Sequence, residues 1–244
     1  MASPPASLMN VARTQLRVLS LRFTREDLEA LGPRHLAYGL LVTWAVGIGR
    51  YWDHPDPYLL QSLGLGSLAV MCGLVLLLYV LLLPLRPARW SPGHLFTFVS
   101  LTALPALLYA IPVERFMSLA DARMLNVWFL AAVALWRVLM LGRYLAQWTD
   151  LSGPVLVAAL LLPLALVVAL LTLLNLEQAV FDVMSGLREE GTANDAAYQW
   201  LFVISMFSYL GSPVLALVYG FAVWSRRRGR REDAAPGDDS SRAA

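Results

Sequence analysis

An all-α, polytopic membrane helical bundle of about six transmembrane helices, with N- and C-termini cytoplasmic, is the fold class the sequence predicts. Three observations carry that expectation. The run Pro154 to Leu176, PVLVAALLLPLALVVALLTLLNL, holds 23 residues without a charge. At ~1.5 Å per residue it reaches ~34 Å, enough to cross a hydrocarbon core of ~30 Å. Composition agrees: 58% of the 244 residues are hydrophobic and 15% charged, against a usual ~45 to 50% and ~25%, and mean hydropathy is +0.60. All 19 basic residues are Arg, and they fall unevenly on the two sides that alternating spans create.

Residues 1–35 read as a cytoplasmic N-terminal segment. They lack the apolar core of a cleavable signal peptide, so none is expected. Leu8, Ala12, Leu16, Leu19 and Phe23 fall on one arc of a helical wheel, with Arg13 and Arg17 away from it. That pattern suits an amphipathic helix lying on the inner leaflet, although the alternation in LRVLSLRF also allows an extended strand. Thr24 before Glu26 and Asp27 predicts an N-cap, and Gly32-Pro33 ends the short helix that follows.

The transmembrane domain is expected over residues 36–224. Its first span, Leu36 to Gly49, is the weakest, with 14 residues before Arg50. Arg50 can snorkel and Trp52 suits the interface, which lengthens the usable span. Leu59 to Leu85 is the second. Leu95 to Val113 is the third, bent at Pro105, where neighbouring helices or water must satisfy the freed carbonyl. Met124 to Gly142 is the fourth and carries Arg137; Pro154 to Leu176 and Tyr198 to Trp224 complete the set. Residues 225–244 form a basic, then disordered, cytoplasmic tail.

Counting arginines fixes the expected orientation. With both ends inside, 15 lie on the cytoplasmic side, and Arg50, Arg115, Arg123 and Arg188 remain outside, as the positive-inside rule requires. An odd number of spans would put either the N-terminal arginines or the RRRGRR run on the wrong face. Trp90, Trp148 and Trp224 then mark the inner interface, and Trp52, Trp128 and Trp200 the outer one. Small residues recur at three- and four-residue steps in three spans: Ser205, Ser208, Ser212, Ala216, Gly220; Ser62, Gly66, Ala69, Gly73; and Ala158, Ala165, Ala169, Thr172. These are expected to be seams of close helix packing.

Four features could carry chemistry. The outer turn around Arg50, Asp53 and His54 offers oxygen and nitrogen donors, but one His beside acids is no recognised metal spacing, and a structured, interface-anchoring turn is the favoured reading. Arg137 lies about six residues, ~9 Å, from Arg143 at the inner boundary, within reach of snorkelling; a buried functional cation is the alternative. Glu177, with Asp182, Glu189, Glu190 and Asp195, makes the last outer segment acidic, and residues 177 to 188 could continue as helix before a loop over 189–197. An enzymatic reading would need Asp53, His54, Glu114 and Glu177 to converge. The fourth feature is SRRRGRR after Trp224, which beside a membrane exit binds anionic lipid headgroups and not nucleic acid. The lone Cys72 forms no internal disulfide. No cofactor, metal ion or catalytic group is assigned.

At GIGRYWDHP, LPALLYAIPVERF and ALWRVLMLGRY the chain resembles a group of uncharacterised multi-pass bacterial inner-membrane proteins, and more loosely the Yip1-like membrane proteins. The first resemblance implies a bacterial cytoplasmic membrane and no activity; the second implies about five spans and a role in membrane organisation. The expected function is therefore a non-enzymatic organising or assembly factor, with a protein partner or homo-oligomer. A small-solute or ion transporter and an outward-facing membrane enzyme are the alternatives.

Overall fold

The computed structural model describes residues 8–50, 52, 59–174 and 195–233, and they are helical with no strand among them. Helix α1 is Leu8–Leu19, α2 Arg25–Glu29, α3 Pro33–Gly49, α4 Leu59–Ser62, α5 Leu65–Leu82, α6 Pro92–Leu101, α7 Leu119–Trp148, α8 Gly153–Leu173 and α9 Asp195–Asp233. A 3-10 turn, Leu83–Leu85, closes α5, and a 3-10 segment, Leu104–Ala110, continues α6. Among the described residues four helical stretches are long and apolar enough to cross a membrane: Leu65–Leu85, Met124–Trp148, Gly153–Leu173 and Val203–Gly229. The bent pair Pro92–Leu101 and Leu104–Ala110 makes five if it counts as one span. Helix α3 has 17 residues, ~26 Å, short of a full hydrocarbon core on its own.

The N-terminal segment is helical through Leu19 and turns at Ser20 and Leu21, so LRVLSLRF forms the end of a helix and a turn with no strand. The expected apolar arc is only half right. Val11, Gln15, Val18 and Leu19 face the protein, while Leu8 and Leu16 are 77% and 62% exposed. The helix is three-sided: one arc packs on the bundle, an apolar arc of Leu8, Met9 and Leu16 faces outward, and Arg13 and Arg17 occupy the third. A helix at an interface needs all three environments. It ends in a turn where Arg22 N donates to Arg17 O and Leu21 N to Val18 O, with Leu21 left-handed at φ 57°. That position usually takes glycine; here the Leu21 side chain packs on the core and offsets the strain.

Thr24 caps α2 as expected, its side chain accepting from Asp27 N while Thr24 N donates to Asp27 Oδ2. Pro33 then starts α3 at a position where its missing N–H costs nothing. Helix α3 is the hub, packed against α5, α6 and the 3-10 segment. Two glycines allow that approach: Gly39 meets Ser100 of α6, and a Cβ on Gly47 would sit 2.6 Å from Gly64 O. Gly64 itself is left-handed (φ 68°) and splits the expected second span into α4 and α5. Weak hydropathy in α3 follows from this position, since protein covers one of its faces.

The seams fall differently from the sequence expectation. In α5, Gly66, Ala69 and Gly73 face outward, and Met71, Val75, Leu78 and Leu82 pack inward. In α9 the inward side includes Ser205, Ser208 and Ala222, whereas Ala216 and Gly220 face away. The α8 seam does pack: Ala158 and Ala165 are buried, and Thr172 Oγ1 lies 2.9 Å from Ser205 Oγ. Helix α9 continues to Asp233, so the basic run extends a helix and does not begin a coil.

Two ends of the bundle emerge from the contacts. At the first, Arg89 pairs with Glu29 at 2.7 Å, Trp148 Nε1 donates to Arg89 O at 3.1 Å, and Arg226 pairs with Asp150 at 2.7 Å. The main core lies toward this end, with Phe23, Leu28, Leu85, Leu95, Phe98 and Tyr144 almost fully buried. At the second, Trp52 Nε1 donates to Ala110 O at 2.8 Å and Arg115 stacks over the Trp52 ring. Helix α3 and the broken α6 leave the first end, α5 and α7 return to it, α8 leaves and α9 returns.

Candidate functional site

The break after α6 is where sequence and physics place the most polar chemistry inside the bundle. Pro105 has no N–H, so the carbonyl of Leu101 loses its i+4 donor. Ala106 N turns instead to Ala103 O, which leaves the carbonyl of Thr102 without its own, and the axis bends by 44°. Each carbonyl finds a side chain from another helix. Gln15 Nε2 donates to Leu101 O at 3.2 Å, and Tyr38 Oη holds Gln15 Oε1 at 2.9 Å. Arg137 Nε donates to Thr102 O at 3.3 Å. Thr43 Oγ1 lies 3.4 Å from Ser100 O and 2.8 Å from Gly39 O. Irregular backbone at membrane depth survives only when satisfied in this way.

Arg137 therefore packs between helices, with a carbonyl as partner. Its electrostatic neighbours are Tyr109 and Arg50, and the Arg50 guanidinium sits 5.4 Å from the centroid of the Tyr109 ring. Among the described residues no carboxylate pairs with Arg137. Side chains of Glu26, Asp27, Glu29, Asp121 and Asp150 lie at helix ends and turns. Of the other sequence candidates, Asp53, His54 and Glu177 lie outside the described residues, as does the side chain of Glu114. The same holds for Asp182, Glu189 and Glu190, whereas residues 195–197 are helical where a loop was expected.

A second polar cluster, absent from the sequence expectation, sits near the first end. His94 Nε2 lies 2.9 Å from Leu28 O and Nδ1 2.9 Å from Tyr144 Oη. A carbonyl only accepts, so Nε2 carries the proton and Nδ1 accepts from the tyrosine. The ring stacks on Trp148 with centroids 3.9 Å apart. With both nitrogens engaged, His94 is an anchor tying α2 and α7 to α6, and it has no lone pair left for a metal. Among the described residues no group of three His, Cys, Asp or Glu side chains converges.

Charges at that end are tuned by their neighbours. Partial burial pushes the Asp150 carboxyl up, but the Ala88 N–H and the Arg226 guanidinium more than reverse it, leaving the pKa below the ordinary value. Hydrogen bonding from Arg89, with added attraction from Arg25, holds Glu29 low as well.

Gln15 was the missed residue with a readable signal. It occupies the middle of the buried arc of α1, where an unpaired amide would be costly, and Pro105 announces a carbonyl needing a donor. Tyr109 carried no such signal. Fold and site together define an all-helical protein with several helices suited to a membrane. Comparison with protein-family models, with curated proteins and with solved structures finds no match.

Proposed function

We propose that the protein is a non-enzymatic organising or assembly component of a bacterial cytoplasmic membrane, crossing it six times with both termini inside. The observation that carries this reading is the way buried polar side chains are engaged. Gln15, Thr43, Thr97, Ser100, Thr102 and Ser205 all bond within the chain, so they hold the bundle together and are not presented to a solute. The alternating courses of α3, α5, broken α6, α7, α8 and α9 support an even number of crossings. Arg89, Arg143 and Arg226 gather toward the first end, which the positive-inside rule makes cytoplasmic. The resemblance to bacterial inner-membrane proteins supports the location.

Crosslinking in native membranes, followed by mass measurement of the purified particle, tests the role. An organising component gives a defined oligomer or a reproducible partner; a strictly monomeric, partner-free protein contradicts it. Transport is the second reading, favoured by the broken helix at depth, a device of many transporter sites. The close Thr172–Ser205 contact and the engagement of Arg137 weigh against an open path. Solute flux into proteoliposomes, absent in protein-free vesicles, would reverse that preference.

A further inference from the structure

Helix α1 docks about halfway along the bundle, yet its surface is that of a helix at a water–lipid boundary. Leu19 O accepts from Trp136 Nε1 at 2.8 Å, and Trp136 lies about 12 residues, ~18 Å, along α7 from Trp148 at the first end. Gln15 reaches Leu101 O and Tyr38 at the same height. Arg13 and Arg17 are exposed on one arc, and Arg17 pairs with Asp27 at 2.7 Å. Asp27 belongs to α2, whose Leu28 O is bonded to His94 in the first turn of α6, so Arg17 points back toward the first end. Leu8, Met9 and Leu16 occupy the adjoining arc and are 77%, 66% and 62% exposed.

Beside α1 the apolar height of the bundle is short. From Tyr38 to Arg50 on α3 is about 12 residues, ~18 Å, and from Trp136 back to Asp121 on α7 about 15 residues, ~23 Å. Leu65–Leu85 and Gly153–Leu173 instead offer 21 residues each, ~32 Å, with Leu76 and Leu170 exposed along them. A hydrocarbon layer of ~30 Å fits only the second pair.

We propose that the bundle thins the bilayer on its α1 side, where α1 seats the headgroups of the first-end leaflet at the height of Trp136, and leaves full thickness along α5 and α8. A surface too short for the hydrocarbon layer draws the bilayer inward in this way. The partner is an anionic phospholipid surface: the apolar arc of α1 enters the headgroup–acyl boundary, and the exposed Arg13 and Arg22 lie beside it. Arg137 is then level with headgroups on that side and not at mid-hydrocarbon, which accounts for a guanidinium held by Thr102 O with no described carboxylate as partner. The inference needs only a membrane-embedded bundle, and neither the organising role nor the number of crossings enters it.

The full chain in a Cys72→Ser background, reconstituted into vesicles of dioleoyl phosphatidylcholine and phosphatidylglycerol, tests it. Nitroxide labels on Leu16→Cys, Leu76→Cys and Ile111→Cys report depth by electron paramagnetic resonance, from the relative access of oxygen and of a water-soluble nickel chelate. Leu16 and Leu76 are equally exposed at 62%, and they stand at similar heights from the first end, ~18 Å and ~14 Å. A bilayer of uniform thickness makes both deep. Local thinning puts the Leu16 label at the headgroup–acyl boundary, the Leu76 label ~10 Å deeper, and the Ile111 label at the boundary of the opposite leaflet. Met9→Cys replaces Leu16→Cys if that label unseats the helix. A label on α1 as deep as Leu76, or one reached by the chelate and not by oxygen, overturns the proposal. So does a shallow Leu16 with a deep Ile111, which would mean a tilted bundle in an undistorted bilayer.

Discussion

Gln15 and Leu101 stand 86 positions apart in sequence, yet the amide of one caps the carbonyl of the other at 3.2 Å. The carbonyl needs that donor because Pro105 cannot supply one. The N-terminal helix is thereby joined to the weakest point of the membrane domain, and α1 is part of the fold and not an appendage to it.

Replacing Gln15 by Ala should leave Leu101 O buried without a donor and cost about 1–3 kcal/mol. Pro105→Ala restores an N–H and should recover part of that loss in the double variant. Unfolding of the four proteins in detergent, compared as a cycle, gives the coupling. An effect of Pro105→Ala that is the same with and without Gln15 would mean the two do not meet.

Gly47→Ala would drive a Cβ to 2.6 Å from the backbone oxygen of Gly64, and the helices must separate at a cost of about 1–3 kcal/mol. Gly66→Ala and Gly73→Ala meet nothing within 4 Å and should be neutral or gain up to about 1 kcal/mol from helix propensity. Thermal midpoints of the three variants check the contrast. Equal losses at all three would return the outward face of α5 to the interior.

Acid should loosen the first end of the bundle. The Asp150 carboxyl is held low in the folded protein, so its contribution is present above the unfolded value near 4 and disappears as pH falls through the folded pKa. Both partners touch solvent, so the effect is about 1 kcal/mol or less. Midpoints measured from pH 7 to pH 3 should fall less steeply in Asp150→Asn than in the parent; identical slopes would exclude the Arg226 pair as a contributor.

His94→Phe should leave the Tyr144 hydroxyl without its partner and take one donor from Leu28 O, which keeps the Leu31 N–H, loosening α2 from the bundle at a cost of about 1–2 kcal/mol. Limited trypsin digestion, followed at Arg25 and Arg34, reads the release directly. Unchanged cleavage would show that stacking on Trp148, which the substituted phenyl ring keeps, is the dominant tie.

Helix existence was readable because lipid-length apolar runs have few alternative explanations, as in α7, α8 and α9. What a helix faces was less readable. In a soluble protein apolarity points inward, whereas here Leu8 and Phe207 face out as comfortably as Leu78 and Leu95 face in, and small residues such as Gly66 occur on both sides. The site was half readable: Arg137 and Arg50 stand out as charges, but Tyr109 and Gln15 matter only through the bend, a tertiary consequence of Pro105. Trp136 belonged to neither expected aromatic belt because its indole N–H serves Leu19 O at 2.8 Å.

The most direct test of six crossings with both ends cytoplasmic is impermeant-maleimide labelling of single cysteines in a Cys72→Ser background. Ser3→Cys and Ser241→Cys should react only after permeabilisation of the cell membrane, and Met117→Cys, near the second end of the bundle, should react in intact spheroplasts. Labelling of one terminus but not the other in intact spheroplasts would require an odd number of crossings and contradict the account.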